Sequence, residues 1–288
     1  MKVSVENNNL ILSGVRDFNL EHIFECGQCF RWNKESDESY VGVAYNKPLR
    51  ISQDKDVVTL YETSEEDFYN IWYHYFDFET DYSKIKSELS HDKVLKTAIS
   101  YGDGIRILNQ DLWECVVSFI ISASNNIPRI KKIIASLCEL FGEKCEYMGN
   151  IYYTFPTPEK VYSLTLEELS QIKAGFRDKY IMAAAECFCN DFSKNNFEAL
   201  SYDESKKLLM SIKGIGNKVA DCVLLFSLAK RNSFPVDVWI KRIMEYCYFD
   251  SEQPVSVISD FSKQKFCDLG GYAQQYLFYY AREQKIGL

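Results

Sequence analysis

The chain has 288 residues, enough for two domains with sizeable cores. Its 47% hydrophobic and 26% charged content is that of an ordinary globular protein, and its net charge of −8 argues at first against a nucleic-acid partner. No apolar run approaches the ~20 residues that cross a bilayer, and Met1-Lys2-Val3-Ser4-Val5-Glu6-Asn7-Asn8 lacks the apolar segment of a secretory signal. An intracellular, cytoplasmic monomer with no membrane partner is expected. The ten cysteines follow no short repeat and are expected to be reduced, mostly packed as small hydrophobes. Cys26-Gly27-Gln28-Cys29 has the spacing of a redox dithiol, but no βαβ pattern surrounds it. Cys187 and Cys189, two apart on one helical pattern, do not face each other. No metal and no cofactor are expected.

The first part reads as antiparallel β. Val3 and Val5 are separated from Leu10, Ile11 and Leu12 by an Asn7-Asn8-Asn9 turn. The runs Tyr40–Tyr45, Leu49–Ile51 and Val57–Tyr61 are parted by Asn46-Lys47-Pro48 and Gln53-Asp54-Lys55-Asp56. The pattern turns helical at Glu65–Phe76, where Phe68, Ile71, Trp72 and Tyr75 share a face, and again over 83–98. Tyr101-Gly102-Asp103-Gly104 marks a boundary. Beyond it the spacing predicts helices over 112–122, 126–141, 166–173, 179–191, 203–212, 217–229, 237–247 and 271–282. The fold class expected is α+β: a small antiparallel β-rich unit over 1–103 and a larger helical one over 104–288. Charge divides the same way. Residues 1–103 carry 11 basic and 19 acidic side chains, while 104–288 are neutral overall. Within 204–244 there are eight basic residues against three acidic ones, a local patch of the kind phosphate contact requires.

That patch holds Lys213-Gly214-Ile215-Gly216-Asn217-Lys218-Val219-Ala220-Asp221-Cys222. Gly214 and Gly216 allow a tight turn and close approach of an anion to the N–H groups opening the next helix. Ile212, Ile215 and Val219 pack beneath. Lys218 lies in the first helical turn, where the positive helix end disfavours its ammonium form and favours a nucleophilic amine. Cys222, four residues on, shares its face. A helix over 217–229 is ~20 Å long, and the loop 230–236 can extend ~23 Å. Asp237 can therefore return to the helix start, where it also suits an N-cap. The combination points to a DNA-binding hairpin with an amine nucleophile and a fixed carboxylate.

At these residues the chain resembles the helix–hairpin–helix DNA glycosylases with a Gly/Pro-rich loop and a catalytic aspartate, here Pro235-Val236-Asp237. Within that superfamily it is most similar to the 8-oxoguanine DNA glycosylase/AP lyases, on Gly27-Gln28-Cys29-Phe30-Arg31-Trp32, Ser118-Phe119-Ile120 with Ser124-Asn125-Asn126-Ile127-Pro128-Arg129-Ile130, Gly175-Phe176-Arg177 and Gly271-Tyr272-Ala273-Gln274-Gln275-Tyr276-Leu277-Phe278. The resemblance implies that Lys218 attacks C1′ and forms a Schiff base, with β-elimination following, and that Asp237 assists. It implies that Cys222 and Phe278 sandwich the flipped base, Gln274 bonds its Watson–Crick edge, and the Gly27 carbonyl accepts the N7 hydrogen peculiar to 8-oxoguanine. Phe176 would fill the vacated stack, and Arg129 and Arg177 would bond the orphaned cytosine. Ser124, Asn126, Gly214, Gly216, Val219 and Trp239 would complete the DNA contacts. Three departures stand out. Ser124 replaces the first of three asparagines, predicting a relaxed preference for cytosine opposite the lesion; Phe176 replaces a tyrosine; and Trp239 replaces a histidine that contacts phosphate. An endonuclease III-like enzyme would need four closely spaced cysteines after the hairpin, and only Cys247 and Cys267 follow. A hairpin that only docks on DNA would need neither Lys218 nor Asp237.

Overall fold

A computed structural model describes residues 1–190 and 192–286. Its first unit is a six-stranded antiparallel sheet of β1 (Lys2–Glu6), β2 (Asn9–Ser13), β3 (Trp32–Lys34), β4 (Tyr40–Ala44), β5 (Lys47–Asp54) and β6 (Val57–Leu60), in the order β1-β2-β6-β5-β4-β3. Asn7 and Asn8 both take the left-handed region (φ 50° and 65°), as do Tyr45 and Asn46 (φ 50° and 61°). Both hairpins therefore have two-residue turns whose twist matches that of the strands. The β4–β5 turn falls one residue earlier than the sequence predicts, and Lys47 and Pro48 belong to the strand. Pro48 pairs with β4 alone, since β6 joins β5 only from Ile51 onward, so no second neighbour lacks a donor.

Alternation places Leu10, Leu12, Leu49, Ile51, Val58 and Leu60 on one buried face. Phe24, Trp32, Tyr40, Trp72 and Phe76 cover it, with Phe24 stacked on Trp32 at 4.2 Å and Trp32 Nε1 donating to Tyr75 Oη at 2.7 Å. The covering helix runs over 65–75 and includes a π turn, Phe68–Trp72.

The helical unit holds the expected helices as Leu112–Ser122, Ile127–Phe141, Leu166–Ser170, Asp178–Cys189, Tyr202–Met210, Asn217–Phe226, Val238–Met244 and Gly270–Glu283. The end of the expected helix 179–191, Asp191, lies outside the described residues, as do Gly287 and Leu288. The expected helix 83–98 is two, Tyr82–Leu89 and Lys93–Tyr101. Asp92 divides them by accepting from the N–H groups of Val94 and Leu95 as an N-cap. Two further helices, Pro158–Tyr162 and Val255–Phe266, and a hairpin of β7 (Lys144–Tyr147) and β8 (Asn150–Tyr153) were not expected. Val255–Phe266 buries Ile258, Ser262 and Phe266, and a serine in that stripe blurs the apolar period. The hairpin docks on the first sheet through Tyr147, whose hydroxyl accepts from Arg50 N and donates to Tyr61 O.

The two cores meet at the segment 24–30. Phe24 and Cys29 belong to the sheet core, while Cys26 and Phe30 belong to the helical core, which also takes the helices over 82–101. Gln28, fully buried, ties this segment down. Its Nε2 donates to the carbonyls of Ile23 (2.9 Å) and Arg106 (2.8 Å), and its Oε1 accepts from Leu108 N (2.9 Å). Its own carbonyl accepts from Gln110 Nε2 at 2.8 Å. Replacing Gln28 with leucine would strand the backbone groups it satisfies, at about 1–3 kcal/mol each. Gln28→Leu should lower the unfolding free energy in urea by ~3 kcal/mol or more; a loss under ~1 kcal/mol would show that the segment holds without it.

Candidate DNA-repair active site

The hairpin forms as its glycines require. Gly214 sits at φ +99°, and a Cβ there would lie 2.4 Å from Tyr180 Cγ, so glycine is needed for both conformation and packing. Ile212, Ile215 and Val219 are buried beneath the turn. Gly216 is the N-cap of helix Asn217–Phe226 and makes no side-chain cap bond. Nothing lies within 4 Å of the place a Cβ would occupy on it. The N–H groups opening this helix thus face open space, the arrangement that receives an anion.

Lys218, half-buried in the first turn, donates from Nζ to Ser122 Oγ at 3.1 Å and lies 5.1 Å from the centroid of the Phe119 ring. Cys222 is buried one turn on. Burial pushes its thiol up to about 12, partly opposed by the Lys218 charge. The loop 227–236 is pinned along its course. Ser233 Oγ donates to Asp221 O (2.8 Å), Gly271 N donates to Arg231 O (2.7 Å), and Arg231 bonds Leu225 O and Asn109 Oδ1 (2.7 Å each). It returns Asp237 to the mouth of the cleft that Lys218 lines. Asp237 caps helix Val238–Met244, accepting from Ile240 N at 2.8 Å. Burial raises its carboxyl above the ordinary carboxylate range; the cap bonds and the Lys218 charge oppose this without cancelling it.

The cleft has a volume of about 830 Å³. It gathers Lys218, Val219, Cys222, Asp237 and Trp239 with Gly214 and Gly216 from the hairpin side, Gly27 from the sheet side, and Ser124, Asn126, Gln274 and Phe278 from the remaining helices. Gly27 takes φ +77°, and a methyl placed on it would lie 2.9 Å from Phe278 Cε1. Gln274 is 4% exposed, and its Oε1 accepts from Gln275 Nε2 at 2.8 Å. Asn126 spends its side chain as the N-cap of helix Ile127–Phe141, accepting from Arg129 N at 3.1 Å. The Trp239 ring carries the Arg242 guanidinium at 5.7 Å.

Three expected residues do not line the cleft. Phe176 is 55% exposed at the tip of the Gly175–Arg177 turn. Arg129 is exposed at the first turn of its helix. Arg177 is buried and occupied. Its guanidinium donates to the carbonyls of Ala174 (2.9 Å), Ala123 (2.9 Å) and Ser124 (3.1 Å), and stacks on Phe176 at 4.4 Å. In this conformation Arg177 ties the turn to the 123–124 loop.

Sequence reasoning missed Ser122, Phe119 and Gln275. Ser122 had a signal, being a small hydroxyl at the end of the otherwise apolar helix Leu112–Ser122. It also missed the pair under the hairpin, in which Lys206 Nζ and Tyr202 Oη both bond the buried Asp221 and tie helix Tyr202–Met210 to helix Asn217–Phe226. Among the described residues no cluster of three His, Cys, Asp or Glu side chains could hold a metal ion, and no helix is long and apolar enough to cross a membrane.

Comparison with known proteins identifies the family. Residues 10–116 match the 8-oxoguanine DNA glycosylase N-terminal domain, and residues 117–265 match the HhH-GPD superfamily of base excision DNA repair proteins. The structure of MBOgg1 in complex with a low-affinity DNA ligand is 48% identical, with a TM-score of 0.96 over 99% of each chain. The 8-oxoguanine glycosylase/lyase of Clostridium acetobutylicum, solved with double-stranded DNA containing cytosine opposite 8-oxoG, is 41% identical, with a TM-score of 0.96 over 99% of each chain. The N-glycosylase/DNA lyase of Saccharomyces cerevisiae is 38% identical over 158 residues, which are 50% of this chain and 42% of the yeast protein. With the two family matches together spanning residues 10–265 and near-complete overlap with solved relatives, the chain belongs to the 8-oxoguanine DNA glycosylase/AP lyase family of helix–hairpin–helix glycosylases.

Proposed function

We propose that the chain is a bifunctional enzyme that excises 8-oxoguanine from duplex DNA and nicks the resulting abasic site. The observation that carries this reading is the convergence of the Lys218 amine and the Asp237 carboxylate on one cleft with Gly27, Cys222, Gln274 and Phe278. The sheet unit (1–103) contributes Gly27 and the helical unit (104–288) the rest. The enzyme acts as a monomer in the cytoplasm, on nucleoid DNA if the cell is bacterial.

The reacting carbon C1′ is inaccessible within the stack, so the nucleotide must leave it. Exposed Phe176 is suited to fill the gap. The backbone at Gly214, Gly216 and Val219, with Asn126 and Trp239 nearby, holds the strand. Cys222 and Phe278 bracket the base and Gln274 meets its Watson–Crick edge. The Gly27 carbonyl accepts the N7 hydrogen of 8-oxoguanine; guanine offers a lone pair there, and the carbonyl would be left unpaired.

Lys218 Nζ, as the free amine, attacks C1′. The glycosidic bond breaks with its electron pair leaving on the base. Asp237 stabilises the cationic sugar or takes the ammonium proton. The sugar ring then opens as the C1′–O4′ bond breaks, its electron pair and a proton going to O4′, and the resulting Schiff base acidifies C2′; loss of that proton expels the 3′ phosphate and cuts the strand. Borohydride should trap a covalent adduct on duplexes containing 8-oxoguanine, and Lys218→Gln should abolish it and slow cleavage by about a thousandfold or more. Absence of any adduct with the native chain would refute the lyase chemistry.

Asp237→Asn separates function from stability. Asparagine caps as well as aspartate, but it carries no charge to set against the sugar cation, so single-turnover excision should fall about a hundredfold or more. Burial raises the native carboxyl. The folded chain therefore holds that proton more tightly than the unfolded one, and the native chain loses stability as pH rises through this range. The Tm advantage of Asp237→Asn should be small near pH ~4 and grow to a plateau at neutrality. A native chain more stable than the variant at neutral pH would contradict the sign.

Ser124 is smaller than asparagine, and its exposed side chain makes no hydrogen bond among the described residues. Excision of 8-oxoguanine opposite cytosine should exceed excision opposite the other three bases by a modest factor, about tenfold or less. Strict dependence on cytosine in single-turnover assays would refute this.

A further inference from the structure

Gln274 and Gln275 are consecutive on helix Gly270–Glu283, both line the cleft, and both are almost fully buried, at 4% and 2% exposure. The only hydrogen bond either side chain makes within the described residues is to the other, Gln275 Nε2 to Gln274 Oε1 at 2.8 Å. Gln275 Oε1 is left buried with no partner. A buried amide carbonyl without a donor is uncommon in a folded protein and calls for an explanation. The bridge has a second property. An amide looks almost the same after its two ends are exchanged, but the bridge requires one donor and one acceptor. If Gln274 turned its amide over, Gln275 would have to turn as well, and every donor the pair offers would become an acceptor. The orientation of Gln274 is thus set by its neighbour.

Resting on the reading of this cleft as the base pocket, we infer that Gln275 is a positioning residue for base selection. It holds the Gln274 amide in the polarity that suits a guanine-type edge, with an oxygen acceptor at C6 and donors at N1 and N2. An adenine-type edge, with a donor at C6 and an acceptor at N1, requires the opposite polarity. A lone Gln274 could turn over and satisfy either edge, whereas turning the pair together would put the Gln275 Nε2 with both its hydrogens in the buried place that now holds a partnerless carbonyl, a costlier orphan, so the pair resists the second.

The test compares single-turnover excision of 8-oxoguanine and 8-oxoadenine, both opposite cytosine, by the native enzyme and by Gln275→Met and Gln275→Ala. Methionine keeps the volume and removes the bridge; alanine gives a second replacement should methionine pack badly. Borohydride trapping on a duplex with a preformed abasic site, which contains no base to read, reports on fold and chemistry. The 8-oxoguanine to 8-oxoadenine rate ratio should drop about tenfold in at least one variant, with abasic-site trapping within about twofold of the native chain. An unchanged ratio overturns the inference. So does loss of abasic-site trapping in both variants, which would make Gln275 a packing residue. If the native enzyme excises no 8-oxoguanine, the functional reading itself has failed, and that result is distinct from either.

Discussion

The side-chain amide of Gln28 is the contact on which the site depends. Gly27 lies in the segment where the two hydrophobic cores meet, and cores of this kind do not by themselves fix their relative placement. Gln28 supplies that registration by bonding the carbonyl of Ile23, just before the 24–30 segment, and backbone groups of Arg106 and Leu108, in a stretch that passes between the cores. Arg106 adds to it, reaching back to the carbonyls of Asp17 (2.8 Å) and Asp77 (2.7 Å) with its guanidinium over the Tyr82 ring. Buried polar groups that are fully bonded restrict geometry in a way apolar packing cannot, because a sliding displacement of an ångström breaks them. The role proposed for the Gly27 carbonyl, telling apart two bases that differ at one hydrogen, would demand that restriction.

The second constraint is electrostatic. The chain is acidic overall, and several of its cations away from the cleft are engaged with carboxylates: Arg31 with Glu114, Arg50 with Asp37, Lys86 with Asp17, Lys206 with Asp221. Around the cleft Arg129 and Arg242 have no carboxylate partner among the described residues. Arg129 and Arg242 thus leave positive charge free for a polyanion beside the cleft, and whole-chain charge is a poor guide to that surface.

Much of this was legible in the sequence. The helices with strong 3.6-residue periodicity were found nearly to the residue, Leu112–Ser122 among them. Gly214, Gly216, Lys218 and Asp237 announced themselves by residue type at fixed spacing, and chain geometry alone allowed Asp237 to return to Lys218. What escaped has local causes. The β7–β8 hairpin is two four-residue strands whose burial comes from docking on another unit. The break at Asp92 is a capping choice hidden inside a continuous apolar period. The role of Ser122 depends on which residue comes to lie opposite it, and no pattern within its own helix reports that. Arg177 is the instructive case. Its residue type fits a contact with an orphaned base, but its donors are given to the carbonyls of Ala123, Ala174 and Ser124. A substitution there would release the turn bearing Phe176 as well as remove a cation, so its effect on DNA could not be assigned to either alone.

The close approach of Phe278 to Gly27 ties a backbone conformation to a packing contact. The ring rests where no side-chain atom on residue 27 could fit. A larger residue there would act twice, straining a backbone held at φ +77° and pushing aside an aromatic ring that lines the cleft. One missing methyl group thus fixes both how the chain turns at this wall and how near the ring can lie to it.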